Sequence, residues 1–151
     1  MKILISAIGK AKSNPQQQLY MDYIKRLPWK VECKEFDVKL SDVTQKKAKE
    51  AELLLGACAG YDKIITLDES GKLLSSREFS EVLGKWQGEG SSSFAFIIGG
   101  ADGLDEIVLK RANLIWSLGR VTWPHILVRS LIAEQIYRAN CLLSNHPYHR
   151  D

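Results

Sequence analysis

Apolar positions along the chain come in two rhythms, and they alternate. Lys2–Ile8 is a short strand-like run that breaks at Gly9-Lys10. Asn14-Pro15 then has the form of a helix start, Asn as the cap and Pro at the first helical position. Leu19, Tyr20, Tyr23, Ile24 and Leu27 follow at helical spacing, and Leu27-Pro28 is the predicted stop. Val31–Val38 reads as a second strand of imperfect period, and the Lys/Glu/Ala/Leu-rich segment Thr44–Ala59 as a helix ended by Gly60. Lys63–Leu67 is a third strand, closed by a predicted turn over Asp68-Glu69-Ser70-Gly71-Lys72. Ser75-x-x-Glu78 is a capping box opening a helix that runs to about Trp86. After the flexible loop Gly88–Ser93, the continuous apolar run Phe94–Ile98 has the length and content of a buried parallel strand. A short helix over Leu104–Asn113, a fifth strand Leu114–Leu118, a long helix Pro124–Leu143 and a polar tail Ser144–Asp151 complete the order. Alternation of this kind predicts an α/β fold, a mainly parallel sheet with helices on both faces, in one domain spanning 1–151.

Composition narrows the class. At 151 residues, with 45% hydrophobic and 26% charged, the chain has the make-up of one globular domain. No apolar run approaches the ~20 residues of a membrane span, and the N-terminal run lacks a signal-peptide pattern. The three cysteines, Cys33, Cys58 and Cys141, are odd in number and widely spaced. That argues against a disulfide framework or a Cys-rich zinc site and for a reducing, cytoplasmic setting. The net charge of +3 is unevenly spread. Residues 1–109 hold 15 Lys/Arg and 16 Asp/Glu, whereas residues 110–151 hold six and two. Five of those six cations are arginines, and all three histidines and Trp116, Trp123, Tyr137 and Tyr148 lie in the same segment. Arginine interleaved with aromatics suits RNA; a solvated surface around core aromatics is the plainer reading of the same residues.

In such folds ligands sit at the carboxyl ends of strands. Here those ends are Leu67-Asp68, Ile98-Gly99-Gly100 and Leu118-Gly119. The loop Gly99-Gly100-Ala101-Asp102-Gly103 is neither G-x-G-x-x-G nor a Walker loop, and taken alone it is a structural turn. His146-x-x-His149 has metal-like spacing but no third ligand nearby, which favours a free imidazole pair over a metal site. His125 falls in the first turn of the last helix, where an anion or a simple packing role is possible. Arg129 and Arg138 are nine residues apart, on roughly opposite sides of a helix at ~100° per residue. Together with the apolar coverage of that helix, this pattern suits a subunit interface. Glu134 and Arg138, four apart, form an i,i+4 pair.

Four ordered segments carry a resemblance. They are Phe96-Ile97-Ile98-Gly99-Gly100-Ala101-Asp102-Gly103, Trp116–His125, Glu134-Gln135-Ile136-Tyr137-Arg138-Ala139 and His146-Pro147-Tyr148-His149-Arg150, with Thr66-Leu67-Asp68-x-x-Gly71-Lys72 in addition. The chain resembles, over its whole length, the bacterial large-subunit ribosomal RNA methyltransferase H family of the SPOUT class. Ala101 and Trp123 stand where relatives carry other residues. The resemblance implies an α/β knot with a C-terminal trefoil, a homodimer, and methylation of N3 of a pseudouridine in helix 69 of 23S rRNA on the assembled ribosome. It implies S-adenosylmethionine as cofactor, held by Leu67, Gly99, Leu118, Gly119, Arg120, Val121, Thr122 and Trp123. It leaves His146, His149, Arg138 and Glu134 as catalytic candidates, and His125, Arg129, Tyr148 and Arg150 as substrate contacts. Tyr148 is expected to stack on the target base, and the tail to order only on RNA. No metal and no membrane are implied.

Two other classes compete. A non-catalytic RNA- or ribosome-binding module would account for the charge asymmetry but not for the three strand ends together. A nucleotide-dependent oxidoreductase would need the missing G-x-G-x-x-G.

Overall fold

Short runs rich in Ile, Val, Leu and Phe become parallel strands here because helices cover both of their faces. The computed structural model describes residues 1–150; the last residue of the expected tail, Asp151, lies outside them. The strands are β1 (Lys2–Ile8), β2 (Lys30–Phe36), β3 (Lys63–Leu73), β4 (Ser93–Ile98) and β5 (Leu114–Ser117). The helices are α1 (Pro15–Arg26), α2 (Val43–Ala57), α3 (Ser76–Gly88), α4 (Glu106–Arg111) and α5 (His125–Leu143). The five strands form one sheet in the order β2-β1-β4-β3-β5, and every neighbouring pair is parallel. The expected α/β architecture is therefore the one found.

One face carries Ile3, Ile5, Phe94, Phe96 and Trp116, packed against Tyr20 of α1, Phe79 and Leu83 of α3, and Ile132 and Ile136 of α5. The other carries Leu4, Ile64, Ala95 and Ile97, packed against Ala51 and Leu54 of α2 and Val108 of α4. Local chemistry sets the ends as read. Asn14 caps α1 by accepting from the Gln17 amide, and Pro15 follows it. Ser75 and Glu78 close the capping box of α3, which holds the Glu78 carboxyl below its usual range through the Ser75 amide. Among the described residues no helix is long and apolar enough to cross a membrane.

Three features depart from the sequence reading. The first is the turn expected over 68–72. It is an outward arch within β3, so that Leu67 and Lys72 both lie opposite Trp116 of β5. Gly71 makes the return possible. A Cβ there would sit 2.6 Å from the Ile115 carbonyl carbon and 2.7 Å from that of Trp116, both backbone atoms.

The second is Arg129. It is 1% exposed, so it neither reaches substrate nor presents a face to a partner. Its guanidinium pairs with Glu35 of β2 and donates to the Gly9 carbonyl at 2.5 Å. Glu35 also accepts from the Ala11 amide at 2.5 Å. Burial alone raises the Glu35 carboxyl, but the Ala11 amide and Arg129 outweigh it and hold it below the usual carboxylate range. Arg129 and Arg138 do lie on opposite sides of α5, but the Arg129 side faces inward.

The third is the tail, which is packed rather than loose. Asn145 takes a left-handed φ of 55°. Its amide bonds the Leu142 carbonyl, and the His146 amide bonds that of Cys141 at 2.8 Å. This double closure turns the chain back along α5. Tyr148 then meets Tyr137 edge-on, ring centroids 4.8 Å apart.

Gly71→Ala is expected to destabilise the fold by about 3 kcal/mol, because the obstacle is backbone, and so to lower Tm by roughly 6–12 °C in thermal unfolding. Glu35→Gln leaves Arg129 buried beside a neutral amide and is expected to cost about 3 kcal/mol at pH 7 in denaturant unfolding. The folded-state carboxyl is depressed, so the pair's contribution is complete above ~4.3, the ordinary carboxylate value, and fades below it. The stability gap between wild type and Glu35→Gln should therefore narrow as pH falls through 4; a constant gap would show that the charge does not matter.

Candidate active site

The carboxyl ends of β3, β4 and β5 open into a cleft of about 770 Å³. That size is ordinary for a cofactor or drug-sized ligand. Leu67, Asp68 and Glu69 line it from the start of the β3 arch, and Ile98 to Leu104 from the glycine loop. Leu118, Gly119, Val121, Thr122, Trp123, Pro124, His125 and Val128 complete it. Seven of the eight expected cofactor residues thus meet around one space. The eighth, Arg120, is exposed and does not line it.

Each loop is braced from behind. In the glycine loop the left-handed residue is Gly103, with φ 78°, and its amide closes on the Gly100 carbonyl. Gly99 matters for space instead: a Cβ there would fall 2.8 Å from Leu104 Cδ2, and Leu104 lines the cleft. Lys46 of α2 reaches Asp102 at 3.1 Å and ties the loop to the far layer. In the segment after β5, the Gly119 amide donates to Ser117 Oγ at 3.2 Å, and Trp123 Nε1 donates to the Leu118 carbonyl at 3.2 Å. Gly119 has a φ of 107°, which only glycine adopts readily. His125 sits where the cleft meets β1, and a Cβ on Gly9 would lie 3.0 Å from its Nε2. Gly9 thus lets the imidazole lie against the chain.

A second cavity, of about 700 Å³, lies beside the first and shares Trp116, Leu118, Gly119 and Trp123 as a wall. Its other side is made by Leu73–Ser76 and by Leu131, Glu134, Gln135 and Arg138 of α5. Two of the four catalytic candidates, Glu134 and Arg138, therefore stand across a thin wall from the cleft.

Glu134 is the hub of a polar network. Its Oε1 accepts from Arg138, at 2.9 Å from Nε and 2.5 Å from Nη2, and from the Tyr148 hydroxyl at 3.1 Å. Its Oε2 accepts from Gln135 Nε2 at 2.7 Å. The hydrogen bond that Arg138 donates to Glu134 raises its already high pKa, so the cation is secure. Burial, then Tyr23 and Glu134, raise the Tyr148 hydroxyl, which stays protonated and donates. Tyr23, 3.3 Å away, must then donate to Tyr148. Arg138 Nη1 lies 3.1 Å from His149 Nδ1. Arginine has only donors, so Nδ1 is the acceptor of this contact.

The expected stacking role of Tyr148 is not met in this arrangement. Its ring lies under Arg138, centroid 4.9 Å from Cζ, and near Arg26 at 5.4 Å, with its edge contact to Tyr137. Arg150 and His146 are exposed, and His146 lines neither cavity. Among the described residues no three His, Cys, Asp or Glu side chains gather as a metal site. Sequence reasoning overlooked Ser76, Gln135, Tyr23 and Arg26. Tyr23 fits the helical spacing of a core residue, and only the adjacency of Gln135 to Glu134 pointed to the network.

Comparison with known proteins agrees with this geometry. Residues 1–149 match the family model described as "Predicted SPOUT methyltransferase". The chain is 46% identical over 151 residues to the ribosomal RNA large subunit methyltransferase H of Paramagnetospirillum magneticum, covering 99% of each chain. Its fold is similar to that of a methylase family protein from Haemophilus influenzae, with TM-score 0.61, 12% identity, and 99% and 70% of the two chains covered. It is also similar to a methyltransferase from Legionella pneumophila solved with SAM bound, with TM-score 0.50, 14% identity, and 92% and 66% covered. With one parallel sheet, a cleft at its strand ends and a family match from end to end, the chain belongs to the SPOUT methyltransferase family.

Proposed function

We propose that this protein methylates N3 of a pseudouridine in helix 69 of 23S rRNA, on the assembled ribosome in the cytoplasm, with S-adenosylmethionine as donor. The observation that carries the reading is the shared wall: the cleft suited to the cofactor and the cavity holding Glu134 and Arg138 meet at Leu118, Gly119 and Trp123.

The cleft suits the cofactor chemically. Leu67, Ile98, Leu118 and Val121 supply apolar surface for an adenine, and Asp68 and Glu69 supply acceptors for ribose hydroxyls or the ammonium group. S-adenosylmethionine supplies a methyl group on a sulfonium, and the chain's work is to orient the acceptor nitrogen and manage its proton. Arg138, a secure cation, stabilises negative charge on a uracil-like ring as the N3 proton leaves. Glu134 aims that guanidinium; with its acceptors occupied by Arg138, Tyr148 and Gln135, it orients rather than takes the proton. His149, held at Nδ1 by Arg138, adds a polar ring beside that guanidinium. His146 stays a candidate for the N3 proton only from the exposed tail, since it lines neither cavity and would have to reach the ring from outside them. Arg150 and His125 remain as contacts to substrate, Arg150 from the exposed tail and His125 from the rim of the cleft.

We further infer that the chain acts as a homodimer and carries the family's C-terminal trefoil. Leu73, Val121 and Trp123 are exposed at the two cavities, apolar surface that a second copy would cover. The test of the function is mass spectrometry of ribosomal RNA from a strain lacking this protein. Loss of one methyl from a helix 69 pseudouridine, restored by the wild-type chain, is the expected result. Unchanged methylation would refute it.

Gly99→Val should push Leu104 into the cleft and abolish S-adenosylmethionine binding in calorimetry while circular dichroism stays native; unchanged affinity would remove the cleft as the cofactor site. Arg138→Lys keeps the charge but loses the fork. It is expected to lower kcat about 100-fold with cofactor affinity within twofold of wild type, read from transfer of labelled methyl to ribosomes.

A further inference from the structure

Ser76 and Gln135 belong to no role described so far, yet both line the second cavity and their hydrogen bonds run one way. The Ser76 Oγ and Gln135 Oε1 are 2.7 Å apart, and Gln135 Nε2 and Glu134 Oε2 are 2.7 Å apart. An ionised carboxylate only accepts, so the amide nitrogen must face Glu134. The amide oxygen then faces Ser76, which must donate. A flipped amide would set two oxygens against each other at the carboxylate.

Ser76 has little freedom to move. It is the first residue of α3, held inside the Ser75–Glu78 capping box. Hence the relay starts at a fixed helix end and finishes on one chosen oxygen of Glu134. With Oε2 taken, Oε1 alone serves Arg138 and Tyr148. The carboxylate plane, and with it the direction of the guanidinium, is set from the α3 side.

We propose that Ser76 and Gln135 are positioning residues for methyl transfer, holding Glu134 so that Arg138 is aimed at the substrate. The proposal rests on the roles given above to Glu134 and Arg138. Among the described residues, the charged and titratable groups shown in this network are Arg138 on α5, Tyr148 and His149 in the tail, and Tyr23 and Arg26 on α1. A new carboxylate at position 135 would stand directly against that of Glu134.

The experiment measures kcat, KM for ribosomes lacking the methyl group, cofactor affinity and Tm for the full chain. Gln135→Met keeps length without the amide. It should lower kcat about tenfold, leaving KM, cofactor affinity and Tm near wild type. Ser76→Ala should act in the same direction but less, and the double variant should be no worse than Gln135→Met alone. Gln135→Glu sets a second carboxylate against Glu134, so one of the two resists ionisation. The acid limb of its kcat–pH profile should move up by roughly half a unit or more. Wild-type kcat in Gln135→Met, an unmoved acid limb in Gln135→Glu, or activity lost only in proportion to Tm would each overturn the positioning role. An inactive wild-type protein would instead sink the proposed function, and this inference with it. If Gln135→Met does not fold, Ser76→Ala and Gln135→Glu still decide the matter.

Discussion

A buried arginine must find its acceptors or the helix that carries it cannot dock, and in this protein much follows from that constraint. Arg129 projects from α5 into the layer above β1 and β2, where Glu35 and the Gly9 carbonyl receive it. Removing two charges from water is costly, and the gain lies in geometry as much as in energy. Once the pair is made, the first turn of α5 has one position over the end of β1. His125 is set against Gly9, and Val128 at the edge of the cleft. Farther along the same helix, Glu134 and Arg138 are set beside the wall formed by the segment after β5. Site geometry on both sides of that wall is thus referred to one internal anchor.

The site itself is made of loops that would be soft if left alone. Each is tied down: the glycine loop to α2 through Lys46 and Asp102, the segment after β5 to β5 and to itself through Ser117 and Trp123, the tail to α1 and α5 through Tyr148. The ties are polar and short, and the surfaces left for ligands are largely apolar. Affinity and orientation are thereby separated, with apolar walls to hold a cofactor and a charged network to face the reacting ring.

Much of this was legible in the residues. Strand and helix order followed from hydrophobic period, and caps at Asn14 and Ser75 from their residue types. The three strand ends that form the cleft were visible because a parallel sheet opens there and glycine punctuates two of them. What stayed hidden depended on distance. Nothing local to Arg129 says that Glu35, 94 residues away, will receive it. The arch in β3 was taken for a turn because Asp-Glu-Ser-Gly has turn chemistry; only the pairing of Leu67 and Lys72 with the same Trp116 shows that the strand resumes. The tail looked solvated because its composition is polar, although Asn145 can take the left-handed turn that brings Tyr148 home.

The long separation between Arg129 and Glu35 also bears on how the chain is made. Synthesis delivers β1 and β2 well before α5, so the partners of the early strands arrive later in the chain. Until α5 has emerged, Ile3, Ile5, Phe94 and Phe96 have no lid from that helix, and Glu35 has no arginine. Closure of that face waits on α5, the helix that covers the core and carries Glu134 and Arg138. A chain interrupted before residue 129 would keep the residues that line the cleft but leave part of the sheet's hydrophobic face open, with neither the Arg129 anchor nor the Glu134–Arg138 pair.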